Sequence, residues 1–246
     1  MAIIQARMGS TRLPGKVLLD LAGETVLERA VSRTLRTQDV DDVVVATSLH
    51  PSDDVIESLC AHNGWHWFRG SLEDVLDRYY HAAMAYKADA VVRVTSDCPL
   101  IEPEIIGQIV REFLHLQPDV HYACNILPRR TFPRGLDAEI MRSDVLERAW
   151  LDDSNPAWRE HVTPYIQNHT DLFRIHGVTN EVDYSHMRWT VDTPEDLIFV
   201  RRVFQEFGHA DFSWREVLAL LEQHPDWAEV NRHVRQKLTD SRELGS

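Results

Sequence analysis

Cysteine is scarce in this sequence, and its spacing excludes two common kinds of small scaffold. Only three cysteines occur among the 246 residues, and no two of them have C-x-x-C spacing. An odd number of widely separated cysteines supports neither a disulfide framework nor a zinc site. Cys60, Cys98 and Cys124 are therefore expected to pack as small apolar side chains.

Long apolar runs and an excess of basic residues are missing as well. No apolar run approaches ~18 residues and no signal peptide precedes the first predicted strand, so we expect a cytoplasmic protein with no membrane partner. With 26 basic and 39 acidic residues, the formal net charge is −13. Binding to nucleic acid needs an extended basic face, so no nucleic-acid partner is expected.

The length and the apolar content suit one large α/β domain. Hydrophobic residues make up 43% of the chain, which is enough for a sizeable core. We expect a single domain over 1–246 with a more polar excursion at about 119–187. This excursion is expected to shape a pocket and to provide the contact of a homodimer.

Apolar runs alternate with helix-start signals, which predicts a βαβ unit with buried strands of the parallel type. Thr25 and Thr193 are predicted helix caps, and a proline follows the second. Predicted strands lie near residue 3 and at 42–47, 66–68, 90–97 and 186–192. Predicted helices are 25–37, 52–63, 71–87, 104–116, one near 155–161, one from 193 and C-terminal helices from 214 that fray after about Lys237.

The stretch I-I-Q-A-R-M-G-S-T-R-L-P-G-K at 3–16 predicts a buried strand that leads into an anion-binding loop. Arg7, Arg12 and Lys16 bring three cations into the loop without an acid, so their mutual repulsion favours a bound polyphosphate. Neither a Walker motif nor G-x-G-x-x-G is present, and the plainer alternative is a solvated basic loop. The nucleotide-binding candidates are Ala6, Arg7, Gly9 and Ser10, and the catalytic candidates are Arg12 and Lys16.

Two carboxylates occur in matching patterns, because residues 93–99 and 188–194 share R-x-T-x-D-x-P. Both patterns are predicted to close a strand, which places Asp97 and Asp192 at the carboxyl edge of the sheet, where parallel sheets bind ligands. Carboxylate oxygens suit Mg²⁺, with phosphate oxygens and waters completing its shell. We predict a catalytic Mg²⁺ site on these two residues. Taken singly, Asp97 also suits a turn and Asp192 a helix N-terminus.

A pocket for the nucleotide base has weaker support in the sequence than the phosphate and metal sites. Gly70 and Arg78 flank S-x-x-D at residues 71–74 and could line such a pocket, although the motif is equally a helix capping box. His161 follows Arg159 on a predicted helix, where a surface histidine is the default interpretation.

With these residues in view, the chain resembles the cytidylyltransferase family that includes the spore-coat polysaccharide biosynthesis proteins. That family is related to the CMP-KDO and CMP-acylneuraminate synthetases. The resemblance spans most of the chain and rests on the segments 3–16, 70–80, 92–101, 132–139, 159–166 and 190–197.

The resemblance implies the three-layer α/β nucleotide-diphospho-sugar transferase fold, which is Rossmann-like, with a mostly parallel mixed sheet. It implies transfer of CMP from CTP to an acidic sugar or related acid with release of pyrophosphate, in polysaccharide or glycoconjugate biosynthesis. Residues matching the CTP phosphate loop are Arg7, Ser10, Arg12 and Lys16, and those matching the Mg²⁺ ligands are Asp97 and Asp192. The alternatives are a glycosyltransferase of the same fold and a catalytically silent nucleotide-binding module. The segment 119–187 does not reproduce the acceptor residues of the sugar-acid synthetases.

The acceptor is expected to be small and acidic, because positive charge gathers in the excursion of an otherwise acidic chain. Arg129, Arg130 and Arg134 surround the turn at 132–133, and bidentate arginine contacts would orient a carboxylate or phosphonate. The alternative is that these arginines pair with neighbouring acids. The acceptor-binding candidates are Arg134, Asp137, Glu139, Arg159 and His161.

Overall fold

The structure is a computed structural model that describes residues 1–236. Its strands in this range are β1 (Ala2–Gln5), β2 (Asp20–Leu21), β3 (Glu24–Thr25), β4 (Val43–Ser48), β5 (His66–Gly70), β6 (Ala90–Thr95), β7 (Tyr122–Cys124), β8 (Glu139–Arg142) and β9 (Ile175–Gly177). Seven of them form one sheet in the order β5-β4-β1-β6-β8-β7-β9, while β2 and β3 form a small hairpin.

The main sheet is mixed and mostly parallel, as predicted. β1 lies between β4 and β6 and is parallel to both, and β5 continues the parallel part beyond β4. β8 is antiparallel to β6 and β7, and β9 is parallel to β7. The expected excursion thus contributes three strands to the sheet.

The helices cover both faces of this sheet. They are α1 (Val26–Leu35), α2 (Asp54–Asn63), α3 (Val75–Ala85), α4 (Pro103–His115), α5 (Ser143–Asp152), α6 (Pro156–His161), α7 (Pro164–Asn168), α8 (Pro194–Phe207), α9 (Trp214–Gln223) and α10 (Pro225–Glu229). Thr25 and Thr193 cap α1 and α8 through complete capping boxes, so both predicted caps are confirmed. The fraying predicted after Lys237 lies outside the described residues.

Two apolar clusters fill the space between the helices and the sheet. Successive side chains of β1 alternate between them, since Ile4 belongs to one cluster and Ile3 to the other, as the period of two in a strand requires. The first cluster includes side chains of α1, α2, α4, α8 and α9, and the second those of α3, α5 and α7. This arrangement confirms the three layers. The three cysteines are buried thiols, as expected.

The prediction of a strand over 186–192 is wrong. Within the segment Arg188 forms an isolated bridge with Arg134, and turn or bend residues lie on both sides of it. Its neighbours are turns and not strands: the N–H of Trp189 donates to the carbonyl of Arg134 at 2.7 Å, and the N–H of Val191 to the carbonyl of Asp97 at 2.8 Å. A continuous ladder of hydrogen bonds needs a neighbouring strand as its partner. Residues 186–192 bond instead to residues in turns, so no strand forms.

Gly135 allows the turn after residue 134 to lie directly against the segment 186–192. Its φ is +107°, and a Cβ at this position would lie 2.6 Å from the backbone nitrogen of Thr190. No side chain fits in that space, so a glycine is required for the turn after residue 134 to reach the segment that carries Asp192.

Two helix predictions need correction. The helix predicted from residue 71 begins at Val75, because Asp74 is its cap: its carboxylate accepts from the N–H of Asp77 at 2.9 Å. Ser71 lies one turn earlier and accepts from the N–H of Asp74 at 3.0 Å. Helix α5 was not predicted, since Arg142 precedes it without a capping side chain.

None of the helices described over residues 1–236 combines the length and the apolar character needed to cross a bilayer.

Candidate active site

A cleft of about 690 Å³ opens beside the carboxyl ends of β1 and β6. Its walls come from the loop after β1, the turn after β6, residues 134–139 and helices α6 and α7. Predicted site residues that line it are Ala6, Arg7, Gly9, Ser10, Arg12, Lys16, Arg78, Asp97, Arg134, Asp137, Glu139, His161 and Asp192. Gly70 and Arg159 are not among the described residues that line the cleft.

The loop after β1 is folded back on itself. The carbonyl of Met8 accepts from the N–H of Ser10 at 2.9 Å and from the N–H of Gly15 at 3.2 Å. Gly15 has φ +67°, a conformation that favours glycine. The buried carboxylate of Asp53 accepts from the N–H of Met8 at 2.8 Å. These contacts hold the loop in the shape that directs Lys16 into the cleft.

Lys16 bridges the two predicted metal ligands. Its Nζ donates to Oδ2 of Asp97 and to Oδ1 of Asp192, at 2.7 Å in each case. Only 13% of the lysine side chain is exposed. The two carboxylates, which are far apart in sequence, therefore converge on a single cation.

Asp192 is held by two guanidinium groups in addition to the lysine. Its Oδ2 lies 3.0 Å from Nη2 of Arg12 and accepts from Nη2 of Arg188 at 2.7 Å. Arg188 also donates to the buried carboxylate of Asp196 through Nε at 2.9 Å. The orientation of Asp192 is thus fixed from both sides.

The opposite charges in this cluster stabilise one another's ionised forms. Burial by itself would lower the pKa of Lys16, but the carboxylates of Asp97 and Asp192 raise it above its ordinary value. Burial likewise opposes ionisation of Asp192, yet Lys16, Arg12 and Arg188 hold its pKa down at about 2. Lys16 and Asp192 are therefore both charged at neutral pH.

The donor set fits a hard divalent cation. Asp97 and Asp192 converge on one point, and the ammonium of Lys16 occupies it as a stand-in cation. Among residues 1–236, no cluster of three or more acidic, histidine or cysteine side chains is placed to hold a metal ion. A metal on these two carboxylates would therefore need further oxygen ligands from a nucleotide or from water.

Arg78 is almost fully buried in the wall of the cleft. Its Nη1 donates to the carbonyl of Ser71 at 2.7 Å, while its Nε has no partner among the described residues. Gly70 makes room for it, since a Cβ there would lie 3.0 Å from Cγ of Arg78. At the rim, Nη2 of Arg7 donates to the carboxylate of Glu160 at 3.1 Å.

Two carboxylates that line the cleft, those of Asp137 and Glu139, are paired with arginines. Arg130 pairs with Asp137, and Arg93 of β6 pairs with Glu139 of the neighbouring β8. Glu139 also accepts from the hydroxyl of Tyr122. The alternative left open by the sequence, that some arginines of this segment pair with acids, therefore applies to Arg130.

Arg159 has a different position from the one expected of an acceptor-binding residue. Its Nε donates to the carboxylate of Asp74 at 2.7 Å, and its Nη1 to the carbonyls of Trp150 and Asp153 at 2.9 and 2.7 Å. These contacts tie α6 to the start of α3 and the end of α5. His161, two residues later, does line the cleft.

Sequence reasoning missed several residues that support the site. Asp53 reaches the loop by a tertiary contact with the N–H of Met8, which no local pattern indicates. Arg93 is the first residue of the repeated R-x-T-x-D-x-P pattern, but the pattern gave no signal of its partner Glu139. Arg188 belongs to the repeated R-x-T-x-D-x-P pattern, and its spacing of four residues from Asp192 was the available signal.

Comparisons with known proteins agree with this geometry. The profile of the cytidylyltransferase family matches residues 1–221. The chain is 35% identical over 234 residues to the spore coat polysaccharide biosynthesis protein SpsF of Bacillus subtilis, which covers 92% of this chain and 95% of that protein. The solved structure of a cytidylyltransferase from Leptospira borgpetersenii serovar Hardjo-bovis has a TM-score of 0.89 and 35% identity, covering 96% of this chain and 97% of the other.

A more distant structure shares the fold. CMP:2-keto-3-deoxy-manno-octonic acid synthetase in complex with CTP has a TM-score of 0.64 and 22% identity, covering 83% of this chain and 98% of the other. The family resemblance and the nucleotide-diphospho-sugar transferase fold expected from the motifs are confirmed. The chain belongs to the cytidylyltransferase family and is a CTP-dependent nucleotidyltransferase.

Proposed function

We propose that this protein transfers CMP from CTP to an acidic sugar or a related acid and releases pyrophosphate. The observation that carries the proposal is the convergence of Lys16 with Asp97 and Asp192 beside the loop after the first strand. Cations for a polyphosphate and ligands for a divalent metal are thereby within reach of one reacting phosphorus.

In the proposed reaction, an acceptor oxygen attacks the α-phosphorus of CTP in line. A new oxygen–phosphorus bond forms, the bond from the α-phosphorus to its bridging oxygen breaks, and pyrophosphate leaves with the electron pair. The acceptor proton passes to solvent. Arg12 and Lys16 stabilise the negative charge that grows on the leaving group.

Asp97 and Asp192 would hold the Mg²⁺ that we propose as cofactor. A bound dication polarises a phosphoryl oxygen and neutralises its charge. The protein's own part is positioning: Arg12 and Arg188 fix the orientation of Asp192, and Asp53 fixes the loop that carries Lys16. Such positioning supplies a large share of catalysis in phosphoryl transfer.

We assign the two sides of the cleft to the two substrates. The nucleotide half consists of the loop 6–16 with Arg78, Asp97 and Asp192, and the acceptor half of residues 130–139 with Arg93 and His161. The buried guanidinium of Arg78, whose Nε lacks a partner among the described residues, offers a donor to the base. Arg134 lines the cleft, and we assign it to the contact with an acidic acceptor because arginine recognises carboxylates and phosphonates.

The names of the similar proteins support the acceptor class. SpsF belongs by name to spore coat polysaccharide biosynthesis, and the more distant synthetase is named for a sugar acid. We therefore propose a role in polysaccharide or glycoconjugate biosynthesis. The homodimer and the cytoplasmic location stay predictions.

A pyrophosphate-release screen tests the proposal. The four nucleoside triphosphates are each combined with sugar acids, sugar phosphates and phosphonates in the presence of Mg²⁺. We expect release with CTP and an acidic acceptor. A neutral sugar used as efficiently as any acid would contradict the acceptor class. Binding of CTP without turnover across the screen would contradict transferase activity.

A further inference from the structure

We propose that Lys16 is an internal counterion that competes with the divalent metal for Asp97 and Asp192, so that metal and nucleotide bind interdependently. The inference rests on the proposed function, because it concerns how that site is loaded. When the metal enters, the ammonium of Lys16 leaves the carboxylates and binds the phosphates of CTP.

The ammonium of Lys16 occupies the position between the two carboxylates. One ammonium nitrogen lies 2.7 Å from an oxygen of each carboxylate, so it occupies the space that both ligands share. The remaining oxygen of Asp192 is taken by the guanidinium groups of Arg12 and Arg188. A metal that binds both carboxylates must therefore displace Lys16.

Positive and negative charges balance in the cluster around Lys16. Three cations, Lys16, Arg12 and Arg188, face three carboxylates, those of Asp97, Asp192 and Asp196. The cluster is therefore neutral before any ligand binds. A dication alone would leave two positive charges unbalanced in a partly buried site, whereas the polyphosphate of CTP brings the compensating charge.

The side chain of Lys16 is flexible enough to change partners. Lysine is a compact point charge on a flexible four-carbon stem, so it can exchange partners by rotation about its own bonds. The neighbouring Arg12 and Arg188 can remain on Oδ2 of Asp192 while Lys16 leaves Oδ1. The backbone need not move, since Gly15 and the turn after it hold residue 16 in place.

Thermodynamic linkage gives the consequence. If nucleotide removes the competing ammonium from the carboxylates, it raises the affinity for metal, and metal raises the affinity for nucleotide by the same factor. Metal binding should therefore be weak in the protein without nucleotide, because the internal cation already occupies the site.

The test uses Mn²⁺ as the probe and measures free Mn²⁺ by electron paramagnetic resonance, with no nucleotide present. Lys16→Met removes the charge and keeps the apolar stem. We expect it to bind Mn²⁺ at least roughly ten-fold more tightly than the wild type, because a like charge in direct competition is gone. The matched control is Lys87→Met, which changes an exposed lysine outside the cleft and should leave the affinity unchanged.

Two further measurements locate the effect. The double variant Lys16→Met/Asp97→Asn should lose the added affinity, since one ligand is missing. With the non-transferable analogue α,β-methylene-CTP, the affinity for Mn²⁺ should rise strongly in the wild type and much less in Lys16→Met. Equal or weaker Mn²⁺ binding by Lys16→Met without nucleotide would overturn the inference.

Thermal unfolding keeps the inference testable if Lys16→Met is unstable. Without the lysine, two carboxylates repel each other, so Tm in EDTA should fall and Mg²⁺ should restore it by more than it shifts the wild type. A lowered Tm that Mg²⁺ does not restore would also overturn the inference. These readouts need no turnover: if they fail while pyrophosphate is released, the transferase proposal stands and Lys16 is a phosphate ligand only.

Discussion

The nucleotide half and the acceptor half of the cleft both combine arginine or lysine with carboxylates, but they are assembled differently. In the nucleotide half, cations from one short loop reach carboxylates that follow β6 and precede α8. In the acceptor half, Arg93 and Arg130 are each paired with an acid in the same wall. The first arrangement can exchange partners with a bound polyphosphate, whereas the second stabilises the wall itself.

This difference predicts a separation of kinetic effects. Changes to the charged cluster around Lys16 and Asp192 in the nucleotide half should act mainly on kcat, because its charges meet groups whose charge grows in the transition state. Changes in the acceptor half should act mainly on the KM of the acceptor.

The largest effect is expected for Asp97→Asn and Asp192→Asn. An amide is neutral and a poorer ligand for a hard dication, so Mg²⁺-dependent kcat should fall by roughly 10²-fold or more, given that loss of outer-shell support alone costs ~10–100-fold. Circular dichroism checks that the fold is intact. Asp137→Asn, in the other half, is the control and should retain most of its kcat. Near-normal kcat at limiting Mg²⁺ in both variants would refute the two-carboxylate site.

Arg12→Ala should have the next largest effect. Removal of one preorganised donor to developing charge costs about 10²-fold in kcat, and we expect this loss to exceed the rise in the KM for CTP. Arg7→Ala is the comparison, since Arg7 pairs with Glu160 at the exposed rim and should change KM more than kcat. Steady-state kinetics with varied CTP measure both. A pure KM effect in Arg12→Ala would assign it to ground-state binding.

The sequence predicted which loop residues gather in the cleft, because the signals were local. The strand, the glycines and the cations of the loop are consecutive in residues 3–16, so one turn brings them together. Asp192 was placed correctly beside Asp97 although its strand was predicted wrongly. The segment 186–192 is held there by the bond from the N–H of Val191 to the carbonyl of Asp97, and Gly135 leaves room for its close approach.

The acceptor half and its surroundings could be predicted only in outline. Of three arginine–carboxylate pairs there, Arg130 with Asp137 joins near neighbours in the sequence, whereas the other two join distant residues. Arg93 and Glu139 are 46 residues apart, and Arg159 and Asp74 are 85 apart. No periodicity of the sequence indicates which acid an arginine will meet when the acids outnumber the bases. The antiparallel pairing of β6 with β8 decides the first pair, and the packing of α6 on α3 decides the second.

Arg134→Ala tests the acceptor half. The KM of the acceptor should rise by about 10–100-fold, the equivalent of one lost hydrogen bond to a charged group, with little change in the KM for CTP. The exposed Arg129 gives a matched control, because Arg129→Ala removes the same charge from a neighbouring position that does not line the described cleft. Equal effects of the two variants would mean that general charge, and not a specific contact, attracts the acceptor.

The smallest kinetic effect is expected for Arg159→Ala, because Arg159 does not line the described cleft. Loss of its contacts to Asp74 and to two carbonyls should lower the free energy of unfolding by about 1–3 kcal/mol, measured by urea denaturation. Both KM values should stay close to those of the wild type. A strong rise in the acceptor KM with unchanged stability would instead support the role predicted from the sequence.

The most direct test of transfer from the α-phosphorus follows two radiolabels in CTP. One sample carries ³²P at the α-phosphorus and the other at the γ-phosphorus, and each is incubated with Mg²⁺ and the acids of the pyrophosphate screen. We predict that the α-label appears in a new acceptor-linked product and the γ-label in pyrophosphate. Recovery of the γ-label as inorganic phosphate, with the α-label in CDP, would contradict the account.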